Sequence, residues 1–149
     1  MPDARTGTVL AFDFGTKRIG VAVGDFETRL AHPLAAIAAI ENRARFAAIG
    51  RLVAEWRPAR LVVGIAAHAD GTEHPVGKLA RRFAQRLHGR FGIRTELVDE
   101  RLTSRDAEGL LRAAGARGSR LKGALDSVAA QRILETFFET ARSPAGGEL

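Results

Sequence analysis

Asp13, Glu100 and Asp126 are the acids whose placement in the sequence invites chemistry. Asp13 closes one short apolar run, Glu100 follows another, and Asp126 falls in the expected first turn of the last helix. In open α/β sheets, ligands gather beyond the carboxyl ends of the strands, where side chains from neighbouring strands converge. Carboxylates without cysteine or clustered histidine suit Mg²⁺ or Mn²⁺ rather than zinc. Two such ions about 3.5–4 Å apart can activate water and stabilise a leaving oxygen during phosphodiester cleavage. Each acid also has a plain structural reading. Asp13-Phe14-Gly15 is ordinary turn chemistry after a strand, Asp126 suits the positive end of a helix dipole, and Glu100 can pair with Arg101. Spacing alone does not join the three.

Positioning such acids requires a sheet, and the apolar runs supply one. Thr8 to Phe14 reads as a buried strand, and a basic turn at Thr16-Lys17-Arg18 leads to a second run over Ile19 to Gly24. Leu30 to Ile40 gives a third strand, so short connections imply an antiparallel meander. Asn42 is expected to cap a helix through about Trp56, on the spacing of Phe46, Ile49, Val53 and Trp56, and Arg57-Pro58 stops it. Arg60 to Ile65 is a fourth strand. A second helix runs from about Pro75 to His88, ended by Gly89 or Gly92, and Ile93 to Val98 is a fifth strand carrying Asp99-Glu100 at its end. A short helix is expected over roughly Ser104 to Ala113, a mobile loop over Ala114 to Lys122, a last helix over Ala124 to Ala141, and a frayed tail from Ser143. This order gives one mixed α/β domain over residues 1–149.

The 149 residues carry 23 basic against 17 acidic side chains, a formal charge of +6. Only Lys17, Lys78 and Lys122 among the basic residues are lysine, and arginine's planar fork suits phosphate. The balance leans towards a polyanionic partner, although a genome-wide arginine preference would produce it too. Zero cysteines exclude a disulfide framework and a thiolate metal site. His32, His68, His74 and His88 lack ligand spacing. No apolar stretch approaches the length of a membrane span, and Met1-Pro2-Asp3-Ala4-Arg5 has no secretion-signal core, so a cytoplasmic address is expected.

Asp13-Phe14-Gly15-Thr16-Lys17-Arg18-Ile19-Gly20-Val21-Ala22 resembles the opening motif of the YqgF family, also called RuvX. Val62-Val63-Gly64-Ile65 with Asp70-Gly71-Thr72 resembles its second block, Asp99-Glu100-Arg101-Leu102-Thr103-Ser104 its third, and Lys122 to Ala130, containing Asp126, its fourth. The blocks occur in order from about Thr8 to Phe138. Ala66 and His68 depart from the second block, where Pro and Asn are common.

The resemblance implies a ribonuclease-H-like fold related to the Holliday-junction resolvase RuvC. It implies a nuclease maturing the 5′ end of pre-16S ribosomal RNA or, by an older assignment, one that cleaves four-way DNA junctions. Asp13, Glu100 and Asp126 inherit the metal-binding and catalytic roles, with Mg²⁺ or Mn²⁺, two ions, as cofactor. Beside them, Gly15 permits a turn close to substrate, and Lys17 and Arg18 are placed to hold phosphate. From Arg101 to Lys122 six basic residues face only Asp106 and Glu108, so Arg101, Arg117, Arg120 and Lys122 are expected to grip a nucleic-acid backbone, the alternative being a solvated basic face. The expected partner is structured precursor RNA or branched DNA, with the chain a monomer or weak homodimer. A non-catalytic nucleic-acid-binding module is a further reading, opposed by retention of all three acids. Asp-Phe-Gly-Thr also resembles the first phosphate loop of the actin and sugar-kinase fold, but those proteins enclose a nucleotide between two domains and this chain has the length of one.

Overall fold

In the computed structural model, which describes residues 7–65, 75–99 and 118–141, the first apolar run forms β1 (Thr8–Phe14). Its residues Val9 to Phe12 have no solvent exposure, because β1 is the middle strand of five. β2 (Ile19–Asp25) and β3 (Ala31–Ile37) complete an antiparallel meander on one side of it. β4 (Arg60–Ile65) and β5 (Thr95–Asp99) extend the sheet in parallel on the other side, giving the order β3-β2-β1-β4-β5. The meander, the two added strands and the mixed sheet are as the sequence pattern predicts.

Helices cover both faces of the sheet, which is why its central strands read as continuous apolar runs. α1 (Asn42–Trp56) and α2 (Pro75–Phe91) bury Phe46, Ile49, Phe83 and Leu87 against Leu10, Phe12, Val21 and Val63. α3 (Gly118–Ala141) lies on the opposite face, with Ala130, Ile133, Leu134, Phe137 and Phe138 against Val9, Ala11, Ala22 and Val62. The Gln131 amide donates to the Ala31 carbonyl (3.0 Å) and Arg29 to the Phe138 carbonyl (3.1 Å), fixing α3 along the meander. Among the described residues, no helix is long and apolar enough to cross a membrane.

The small residues of β2 explain how closely α3 approaches. Gly20, Ala22 and Gly24 alternate with Ile19, Val21 and Val23, so one face of the strand is small and the other bulky. A Cβ on Gly20 would overlap the backbone carbonyl of Asp126, and one on Gly24 would crowd Leu134 and Phe138 at 2.9 Å. At Gly20 the helix backbone rests directly on the strand.

Two expectations, on the cap of α1 and the start of α3, are corrected, and of the two glycines expected to end the second helix it is Gly92 that does so. Asn42 is the first helical residue of α1 and not its cap; Glu41 takes the cap position in extended conformation, with no side-chain capping bond. α2 continues through Gly89 to Phe91 and stops at Gly92, which adopts φ +67° and donates its N–H to the His88 carbonyl at 2.9 Å. α3 begins at Gly118, earlier than the expected Ala124, so the segment carrying Arg120 and Lys122 is its start, not a loop. Leu121 and Leu125 stand four apart, continuing the helical spacing backwards through a stretch whose Gly, Ser and basic residues disguise it. The short helix near residues 104–113, the rest of the proposed loop and the tail from residue 143 lie outside the described residues.

Candidate active site

Asp13 is the penultimate residue of β1, and its neighbours in both ladders are glycines: Gly20 across the antiparallel pair and Gly64 across the parallel one. Strand alternation puts it on the face of Val9 and Ala11, the face covered by α3. The residues directly opposite this half-buried acid on both adjoining strands therefore carry no side chain. Ordinary turn chemistry would not require that clearing.

Asp126 reaches the same place from α3. Its backbone lies directly over Gly20, the cross-strand partner of Asp13, so the two acids share one face and one end of the sheet. It is the ninth residue of the helix, well past the first turn, which removes the helix-dipole explanation for an acid there. Its Oδ2 accepts from Arg18 Nε at 2.6 Å, the side chains being 20% and 36% exposed. Glu100 lies outside the described residues, immediately after Asp99 at the end of β5, the parallel neighbour of β4. Among the described residues no group of three metal-ligating side chains forms; Asp13 and Asp126 are two of the three acids expected.

The turn between β1 and β2 supplies the basic partners. A Cβ on Gly15 would overlap the Arg18 carbonyl, so the tightness of this turn depends on glycine. Lys17 is exposed at its tip, while Arg18 folds back onto Asp126. Arg101 and Arg117 lie outside the described residues; Arg120 and Lys122 are placed only by their backbone, near the start of α3.

Sequence reasoning missed Arg45. It is 3% exposed and donates from Nε to the Ala39 carbonyl (2.5 Å) and from a terminal nitrogen to the Gly15 carbonyl (2.7 Å), with its guanidinium 5.4 Å from the Phe14 ring centre. Burial pulls its pKa below the ordinary arginine value. Arg45 thus ties the first turn of α1 to the turn that follows Asp13. The available signal was its position four residues before Ile49, on the stripe of α1 that faces the sheet. Replacing Arg45 with Met keeps the stem but leaves two carbonyls without their charged donor. We expect a loss of about 2–4 kcal/mol in urea unfolding, since hydrogen bonds to charged groups contribute roughly 1.5–3 kcal/mol each. A loss under about 1 kcal/mol would mean that water replaces the guanidinium and the tie is dispensable.

Residues 7–140 match the RuvX family, described as a Holliday junction resolvase. A protein of Dechloromonas aromatica (strain RCB) named "Putative pre-16S rRNA nuclease" is 57% identical over 134 residues, covering 90% of this chain and 92% of its own. Its counterpart of the same name in Nitrosomonas europaea is 50% identical over 146 residues, covering 96% and 99%. Thermus thermophilus RuvC, solved in complex with a Holliday junction substrate, superposes with a TM-score of 0.54 at 18% identity, covering 91% of this chain and 95% of RuvC. That likeness carries the ribonuclease-H-like fold expected from the motifs. With sequence identity along nearly the whole chain and a family match from Gly7 to Thr140, this protein belongs to the RuvX family.

Proposed function

We propose that the chain is a divalent-metal-dependent nuclease that hydrolyses phosphodiester bonds during 5′-end maturation of pre-16S ribosomal RNA in the cytoplasm. The observation that carries this reading is the placement of Asp13 and Asp126 on one face and at one end of the sheet, Asp126 lying over the cross-strand partner of Asp13. The names of the relatives supply the substrate class.

The residues present fit a hard divalent cation. The donors are carboxylate oxygens, cysteine is absent, and a cationic guanidinium already sits against Asp126. Asp13, Asp126 and Glu100 would hold the metal. Divalent ions held there, Mg²⁺ or Mn²⁺, supply Lewis acidity and charge neutralisation for the attack of water on phosphorus. Asp13 is anchored by two ladder pairings, which fix the position of its carboxylate. Arg18 offsets the charge of Asp126 and, with Lys17, is placed to bind the non-bridging oxygens of the scissile phosphate. Gly15 lets the chain pass close to that phosphate. Arg101, Arg117, Arg120 and Lys122 would supply further phosphate contacts.

A second reading, resolution of four-way DNA junctions, is favoured by the description of the family and by the RuvC fold likeness. It uses the same chemistry. Cleavage of matched ribosomal-RNA precursor and four-way DNA junction substrates, each with Mg²⁺ and with Mn²⁺, separates them. We expect metal-dependent cleavage of the precursor and little of the junction. The reverse preference would establish the resolvase reading, and a stable homodimer, rather than a monomer or weak dimer, would accompany it. No cleavage of either would leave a binding module.

A further inference from the structure

A groove at the same end of the sheet, on the opposite face from Asp13, is not used by the mechanism above. It lies between the first turns of α1 and the middle of α2, with a volume of about 240 Å³. Phe14, Phe46 and Phe83 line it together with Asn42, Leu79, Arg82 and Arg86. Phe14 is the residue after Asp13 on β1, so the groove opens one residue along the strand from the proposed site.

The charge of α2 is one-sided. Its 17 residues include Lys78, Arg81, Arg82, Arg86 and Arg90 and no Asp or Glu. Arg82, Arg86 and Arg90 recur every four residues, which on a helix makes one stripe with a rise of about 6 Å per step. That rise is close to the separation of successive phosphates along an extended strand. Arg90 turns inward, with its guanidinium 4.8 Å from the Phe46 ring centre, which places the stripe along the seam between α1 and α2. Arg82 and Arg86 are exposed, and among the described residues neither has an acidic partner. Arg82 and Arg86, four residues apart on this helix, repel one another in the free state and would be relieved by an anion between them.

We propose that this groove is a second nucleic-acid subsite, in which Arg82 and Arg86 hold the phosphodiester backbone of the substrate strand as it leaves the carboxylate site. Phe14, Leu79 and Asn42 meet the sugar and base edges between the phosphates. The strand passes over the end of the sheet at Phe14, from the face of Asp13 to the face of α2. The inference rests on the nuclease reading only for the direction from which the strand arrives.

The test is equilibrium binding of a fluorescein-labelled 20-nucleotide RNA, and of DNA of the same sequence, in chelator so that the probe survives. The variant is Arg82→Gln/Arg86→Gln, which keeps the aliphatic stems and good helix formers on exposed positions. Affinity should fall roughly tenfold at low salt, and the slope of log K against log salt should decrease by about 1.4, two contacts at about 0.7 each. Arg51→Gln/Arg94→Gln removes the same charge outside the groove and should change the slope far less. An unchanged slope in the groove variant, or an equal change in the control, would overturn the proposal. A loss confined to RNA or to DNA would also overturn it, since a backbone grip treats both alike. Cleavage by the parent protein with Mg²⁺ is read separately. A parent that never cleaves but binds through Arg82 and Arg86 would refute the nuclease reading and keep the groove. A cleaving parent with a variant of unchanged slope would do the opposite.

Discussion

We expect Asp13→Asn to abolish cleavage while leaving the metal-free fold as stable as the parent, or slightly more so. The substitution preserves size and hydrogen-bonding capacity and removes one negative charge from a place where acids converge. Without metal, clustered carboxylates repel one another, and a site kept in that condition trades stability for function. Arg18 offsets the charge of Asp126 in part. We expect cleavage to fall by at least about 10³-fold, equivalent to roughly 4 kcal/mol of transition-state stabilisation. The melting temperature in chelator should stay level or rise by about a degree or two. Both readings come from one preparation. A variant that unfolds would make Asp13 a structural acceptor holding the β1–β2 turn, and a folded variant with wild-type cleavage would remove it from the site.

Gly20→Ala tests the architecture behind the chemistry. A methyl group here meets the main chain of α3 at Asp126, and a helix backbone cannot swing aside as a flexible side chain can. Either the helix lifts from the sheet or the strand is pushed away. Overpacking of this kind costs about 1–3 kcal/mol, occasionally more. The catalytic loss should be larger than the stability loss suggests, because Asp126 rides on the displaced turn and a 1 Å misplacement costs on the order of 10²-fold in rate. Gly89→Ala is the matched control. That glycine lies within α2 with nothing within 4 Å of an added Cβ, so alanine should stabilise by about 0.5–1 kcal/mol in urea unfolding. If Gly20→Ala behaves like Gly89→Ala, the close approach of α3 does not set the site.

The strands were legible because burial on both faces leaves short, unbroken apolar runs bounded by turns, as in Val9 to Phe12 and Leu61 to Ile65. Asp13 was legible as the acid that closes such a run. The start of α3 was not, since Gly118, Ser119, Arg120 and Lys122 are residues that loops favour, and docking on the meander outweighs their weak local preference. That error also put Asp126 in a first turn, where an acid needs no further reason. Arg45 was hidden by its type: a cation on an apolar stripe reads as exposed until its two carbonyl partners, six and thirty residues earlier, are known. The alternation of small and bulky residues on β2 was present in the sequence, but its meaning depends on a helix that arrives about a hundred residues later. Glu100 has no described position, so its part in the site rests on its motif.

The bond between Arg18 and Asp126 joins residues 108 positions apart. Synthesis delivers the meander first and α3 last. Until α3 arrives, Val9, Ala11, Ala22 and Val62 lack the cover that its side chains give, and Asp13 lacks the acid that α3 carries. The proposed site is therefore complete only once α3 docks, and its completion coincides with closure of the second core. A nascent or truncated chain ending before α3 would expose an adhesive sheet face yet be catalytically silent.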